Sequence, residues 1–255
     1  MIYLRLMRIT KFKLFFAVGW MAFAYCLITS FVYPGSKLEN VPPEVVIVKP
    51  SQNDRFFWNT IVQYNISITD KEDGKSEYDE INAKEVLLEV CYLPDAASAK
   101  NYTDKKRNSK ENSGLTMIRK SDCFTCHASK SKLIGPSFEL IAKKYRMTNS
   151  SVERLTKNII NGSAGIWAST AMPAHKAINA NDVKQMVRWI LNNGAIPNIT
   201  VYPGMEGAFK ADKKPVTGSA KMVMVLTASY TDHGDKNSMQ NNKYGQYSLS
   251  LKPAN

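Results

Sequence analysis

Cys123-Phe124-Thr125-Cys126-His127 places two thiols three residues apart and an imidazole directly after the second. Thiols at that spacing can each form a thioether with one vinyl group of a haem, and the adjacent histidine can then reach the iron from one face. A bare C-x-x-C could equally be a redox dithiol or half of a zinc site. A zinc site needs a second ligand pair, and the remaining cysteines, Cys26 and Cys91, stand far apart. A thioredoxin-like dithiol belongs at a strand-to-helix turn, and no parallel-strand pattern flanks residues 123 to 127. Covalent haem attachment is therefore the favoured reading, with dithiol and zinc as its rivals.

The surrounding residues read as short amphipathic helices. Leu115 and Ile118 lead into the attachment turn, and Phe138, Leu140, Ile141 and Tyr145 form an apolar stripe over 137–146. A third helix begins at Ser150, whose hydroxyl forms an S-x-x-E box with Glu153, and carries Val152, Leu155, Ile159 and Ile160. The fourth is capped by Asn179 with Asp182 three residues on, stapled by Ile178 and Val183 and closed by Gly194. Its buried face is Val183, Met186, Val187, Ile190 and Leu191. So small a helical core is marginal unless a cofactor fills it.

Further residues complete a pattern: Gly135-Pro136, then Gly162 and Trp167, then Met172-Pro173. Over residues 114–194 the chain resembles a class I c-type cytochrome. The resemblance implies one covalently attached haem c, with Cys123 and Cys126 as thioether anchors, His127 as proximal ligand and Met172 as distal ligand. It also implies that the Pro136 carbonyl orients the proximal imidazole and that Trp167 packs near the haem. Hydrogen bonding of that kind fixes a ligating tautomer.

Methionines in helical chains usually fill cores, and Met186, Met222 and Met224 sit on periodic apolar runs that suit that role. Met172 sits instead in an aperiodic stretch before proline, on a loop free to cross a haem face. His175 is its rival as sixth ligand, and an open or water-bound iron is the third possibility. His233, outside this segment, reads as a surface loop residue.

The flanks read differently. Residues 14–33 are uncharged and follow Arg5, Arg8, Lys11 and Lys13, so residues 1–38 are expected to form a signal-anchor or transmembrane segment with the rest outside the cytoplasm. A cleaved signal peptide and lipidation at Cys26 are the alternatives. Residues 39–98 alternate as β-structure and are similar to PKD-type domains, which implies a small all-β Ig-like sandwich. Its Asp70-Lys71-Glu72-Asp73-Gly74 turn offers calcium ligands or is simply solvated. Cys91 is expected as a buried free thiol. Residues 99–113 read as a polar linker, and 195–255 as a short C-terminal β segment after the all-α cytochrome domain.

The chain carries 34 basic and 22 acidic side chains, a formal net charge of +12. Lys130, Lys132, Lys143, Lys144 and Arg146 cluster after the attachment site, a pattern that would steer an acidic redox partner. Three functions stay open: a single-electron carrier between a dehydrogenase or quinol-oxidising complex and a terminal oxidase or reductase; a peroxidase-like haem enzyme with an open iron; and a sugar-binding or adhesion module with a structural haem. Two protein ligands would leave iron no place for substrate, so the expectation is a non-enzymatic carrier on the periplasmic side of a bacterial inner membrane. Nucleic acid is a poor partner there. The order of segments resembles multidomain periplasmic haem proteins.

Overall fold

Strict alternation in Ile61–Asp70 buries Val62, Tyr64, Ile66 and Ile68 and turns their neighbours outward, which makes this the long strand β3 of a computed structural model that describes residues 39–167, 170–212, 214, 221–234 and 241–254. The expected anchor and Cys26 lie outside the described residues. Among those described, no helix is long and apolar enough to cross a membrane.

The other strands, in chain order, are β1 (Glu44–Lys49), β2 (Arg55–Phe56), β4 (Gly74–Lys75), β5 (Leu87–Leu93), β6 (Ile199–Pro203), β7 (Glu206–Lys210), β8 (Val223–Thr231) and β9 (Tyr244–Pro253). One sheet joins β1, β3 and β4, with β7 added to β3; the other runs β2-β9-β8-β5-β6. Both sheets draw strands from either side of the helical segment. Ile61 pairs with Lys210, Leu88 with Ala228, and Arg55 with Lys252. The expectation that 39–98 alone form an Ig-like sandwich is therefore corrected, while the C-terminal strands, too few to stand alone, do pack on the N-terminal β-structure. Residues 39–98 leave β5 and β3 without enough partners, and strands from 199–253 supply them.

The sheets share one core, in which Ile47, Ile66 and Phe209 from the first meet Leu88, Leu226 and Leu251 from the second. Every residue of β8 is buried, because it lies mid-sheet with both faces covered. Its outer face carries Val223 and Val225, which pack with Cys91 against Ala99 and Tyr102. Those last two belong to helix α1 (Ala96–Arg107), which occupies most of the stretch expected as a linker. Asp95 caps α1 by accepting from Ser98 N–H at 2.7 Å, and a narrow stripe of small and aromatic residues fastens it to the sheet. Cys91 is buried and free, as its apolar setting predicts.

The remaining helices are α2 (Ser113–Arg119), α3 (Cys123–Cys126), α4 (Phe138–Lys144), α5 (Asn149–Asn161) and α6 (Ala180–Asn193). Asn179 caps α6 as expected, accepting from Asn181 N–H at 2.8 Å, and the five expected core residues are buried together with Trp189. The cap of α5 is Thr148 rather than Ser150, its hydroxyl accepting from Ser151 N–H at 3.1 Å. Where α2 crosses α6, a Cβ on Gly114 would stand 2.2 Å from the Gln185 carbonyl oxygen, so this crossing needs glycine.

The helices bury one cluster, including Ile118, Phe138, Val152, Val183 and Val187, which Leu87 and Val201 of the second sheet join. A fully buried ion pair completes the seam. Arg119 Nη2 lies 3.0 Å from Glu111 Oε2, and Nη1 donates to the Glu85 carbonyl at 2.7 Å. Thr231 of β8 donates to the same Glu111 oxygen at 3.1 Å. First sheet, second sheet and helices thus stack as three layers.

Candidate haem site

Helix α3 is a single turn, so Cys123 and Cys126 stand near one another on it, and both thiols are free. Burial pushes the Cys123 thiol up, against a hydrogen bond from Ser121 Oγ at 3.0 Å. His127 leaves the helix in extended conformation, its N–H still donating to the Cys123 carbonyl at 2.9 Å. The following loop returns to this turn, with Gly135 N–H donating to Cys126 O at 2.9 Å. That return brings the Pro136 carbonyl to 2.6 Å from His127 Nδ1. Carbonyl oxygen only accepts, so Nδ1 donates this hydrogen bond and Nε2 is the ring nitrogen left to ligate. On the other side the ring stacks on Phe138, with centroids 5.8 Å apart and planes 16° apart.

Met172 lines the same cleft. Its N–H and C=O pair with Ser163 at 2.8 and 3.1 Å, pinning the loop to the end of α5. Cys123, Cys126, His127, Pro136, Trp167 and Met172 all line one cleft. The cleft walls are largely apolar, with Ile141, Leu155, Ile159, Val187 and Ile190 among them.

His175 is not among the lining residues. Its Nε2 lies 3.1 Å from Asp122 Oδ1, and its side chain is mostly buried away from the cleft. Two lining polar residues had no signal in the sequence. Tyr145 was read as part of a helical stripe, yet its hydroxyl is buried without a partner; Asn158 lies on the polar side of α5's periodicity. Beside Tyr145, Arg154 sits over its ring at 5.6 Å, and Lys144 sits over the Trp167 ring at 4.5 Å.

These features fit a haem. The cleft is largely apolar, and two free thiols, an imidazole whose Nδ1 is held by a carbonyl and a thioether side chain all line it. An orphan phenol flanked by two cations suits the acidic edge of such a group.

The expected surface residues are partly committed elsewhere. Lys130 Nζ donates to the Pro197 carbonyl at 2.5 Å, and Lys143 pairs with Glu139 at 2.7 Å. His233 is an exposed loop residue as expected, and its Nδ1 lies 3.0 Å from Asp73 Oδ2 and its Nε2 3.0 Å from Glu85 Oε2. The Asp70–Gly74 turn is only partly satisfied internally, with Asp70 Oδ2 and Glu72 Oε2 buried without a partner. Asp70 Oδ1 accepts from the N–H groups of Glu72 and Asp73, and Asp73 accepts from Tyr230. Among the described residues no group of three His, Cys, Asp or Glu side chains is placed to hold a metal ion.

The cytochrome c family matches residues 112–194. Cytochrome c-551 of Allochromatium vinosum is 34% identical over 77 residues, which cover 30% of this chain and 82% of that protein. Cytochrome c-552 of Hydrogenobacter thermophilus is 34% identical over 76 residues, covering 30% and 76%. The crystal structure of wild type Nitrosomonas europaea cytochrome c552 aligns at 31% identity over 31% of this chain and 96% of that one, with a TM-score of 0.29. The chain belongs to the cytochrome c family. Its cofactor is accordingly covalently attached haem c, one for the single domain of this type.

Proposed function

We propose that this protein is a mono-haem electron carrier whose iron is held on both faces by the chain. One observation carries the reading: Met172 and His127 arrive at a single cleft on separate, independently pinned loops. Cys123 and Cys126 would anchor the haem through thioethers, and His127 Nε2 and the Met172 sulfur would hold its iron. When bound, haem c supplies reversible one-electron chemistry at iron.

The protein's own residues do the rest. Pro136 holds the imidazole in one tautomer, and Phe138 fixes its plane. Ile141, Leu155, Ile159 and Val187 exclude water, and Trp167 with Lys144 closes the acidic edge. With both faces of the iron occupied by side chains there is no position for substrate, which favours the carrier over a peroxidase-like enzyme.

Exposed Lys132 with Lys144 and Arg146 would steer an acidic redox protein such as a dehydrogenase, a quinol-oxidising complex or a terminal oxidase. Export follows from the attachment chemistry, and the uncharged run at 14–33 would tether the chain on the periplasmic face of an inner membrane. Fractionation after alkaline carbonate washing tests the tether: retention with membranes supports it and release removes it.

The haem assignment is tested by acidic acetone extraction and a haem-stained denaturing gel of wild type and of Cys123→Ser/Cys126→Ser. Haem should stay with the wild-type polypeptide and leave the double variant. Haem lost from wild type would overturn the reading.

A further inference from the structure

The backbone around Met172 is tied to one neighbour. Met172 N–H and C=O pair with Ser163, just past the end of α5, and three residues on His175 N–H donates to the Ile159 carbonyl of α5 at 3.0 Å. The His175 carbonyl accepts from Ile178 N–H at 3.2 Å, which closes the loop before α6 begins. These bonds fasten the methionine loop to α5 and to itself. None of them reaches the Cys123–His127 turn, which brings the thiols and the imidazole to the cleft.

The His175 side chain makes that link. Its Nε2 lies 3.1 Å from Oδ1 of Asp122, which is 53 residues upstream and immediately before Cys123. A carboxylate only accepts, so Nε2 donates. The imidazole is held in place, its side chain 15% exposed, whereas Asp122 is 70% exposed and would be free to turn to solvent. Asp122 has no local task that would aim it this way: it stands at the N-terminal cap of α3, yet its side chain accepts nothing from that turn. Neither residue lines the cleft, so the pair sits outside it and joins the two segments that supply its ligating groups. An exposed pair of this kind adds little to global stability. Its consequence is local and geometric.

We propose that the His175–Asp122 contact is a clasp that positions Met172, holding the methionine loop against the attachment turn so that the sulfur stays within reach of the iron. The inference rests on the reading of Met172 as a ligand. A soft thioether binds ferric iron weakly, so the sulfur competes with added ligands through its effective concentration at the iron. Fastening the loop to the attachment turn as well as to α5 raises that concentration without adding a contact to the sulfur itself. His175 is thereby a positioning residue, not a rival ligand.

Imidazole titration of the ferric, haem-loaded full chain, followed by its absorption spectrum, tests the clasp, because added imidazole must displace the sulfur. Asp122→Ala removes a side chain that is exposed and caps nothing, so the fold should keep its guanidinium unfolding midpoint. It should nevertheless bind imidazole about fivefold more tightly than wild type, the worth of one hydrogen bond. His175→Ala should do the same, and the double variant no more than either single, because the two side chains act through each other. His175→Gln, which keeps an N–H donor, should stay within about twofold of wild type. An Asp122→Ala affinity equal to wild type, or single effects that multiply in the double variant, would overturn the clasp and leave Met172 as a ligand. A lowered unfolding midpoint with unchanged imidazole affinity would overturn it too, showing the pair to be structural only. A wild type that binds imidazole as tightly as Met172→Ala would instead overturn the ligand assignment, and the clasp with it.

Discussion

His127 Nδ1 and the Pro136 carbonyl oxygen, nine residues apart in sequence, lie 2.6 Å from one another because the intervening loop folds back onto the attachment turn. The contact leaves no room beside it. A Cβ on Gly135 would stand 2.5 Å from His127 Cε1 and 2.8 Å from Nδ1.

Gly135→Ala should therefore push the imidazole off its carbonyl. Overpacking of this kind costs about 1–3 kcal/mol, read as a lower unfolding midpoint of the haem-loaded protein in guanidinium. The haem potential should shift as well, because the ring loses the partner that sets its basicity. A midpoint and potential equal to wild type would show that the loop yields freely.

The buried Arg119–Glu111 pair ties α2 to β8 and to the carbonyl of Glu85. Arg119→Met leaves Glu111 buried without its cation and should cost about 3–5 kcal/mol. The double variant Arg119→Met/Glu111→Leu should recover most of that loss, since the lone charge is gone. Equal destabilisation in both would mean that Arg119 acts through packing alone.

Asp73 lies under a different linkage. Burial raises its pKa, but hydrogen bonds from the Tyr230 hydroxyl, 2.7 Å away, and from His233 N–H outweigh it, so the net direction is downward. A carboxyl depressed in the folded state stabilises above its unfolded pKa, and that stability is lost as pH falls through the folded value. Asp73→Asn should flatten the acid limb of the unfolding midpoint measured below about pH 4, and leave the neutral region less stable. An acid limb as steep as wild type would place the titration elsewhere.

Electron transfer with an acidic partner should slow as ionic strength rises and the Debye length falls below about 10 Å. Because Lys130 and Lys143 are already engaged by Pro197 and Glu139, Lys132→Glu should reduce the salt slope more than Lys143→Glu. Stopped-flow rates across a salt series separate the two, and identical slopes would remove Lys132 from the contact.

The site was legible because its chemistry is local. Cys123, Cys126 and His127 are adjacent, Pro136 follows within one loop, and α6 announces itself through Asn179 and a five-residue apolar face. Met172 could be separated from core methionines by the aperiodic stretch around it, and Met186 and Met224 are indeed buried. The sheets were not legible as they form. Arg55 pairs with Lys252 and Ile61 with Lys210 across the whole helical segment, and no local period records pairing at that separation. Helix α1 was hidden for another reason. Its contact stripe is Ala99 and Tyr102 amid lysines and aspartate, so its helicity comes from packing on Cys91, Val223 and Val225. His233 is the exposed loop residue expected, but its partners, Asp73 and Glu85, are about 150 residues upstream and left no local signal.

Whether His127 and Met172 both hold the iron is read most directly from the absorption spectrum of the ferric protein before and after Met172→Ala. The wild type should show the weak long-wavelength band of sulfur bound to ferric iron and should not take up carbon monoxide when reduced. Met172→Ala should lose the band, lower the potential and bind carbon monoxide. A wild type that lacks the band and binds carbon monoxide readily, with Met172→Ala indistinguishable from it, would contradict the carrier and leave an iron open to substrate.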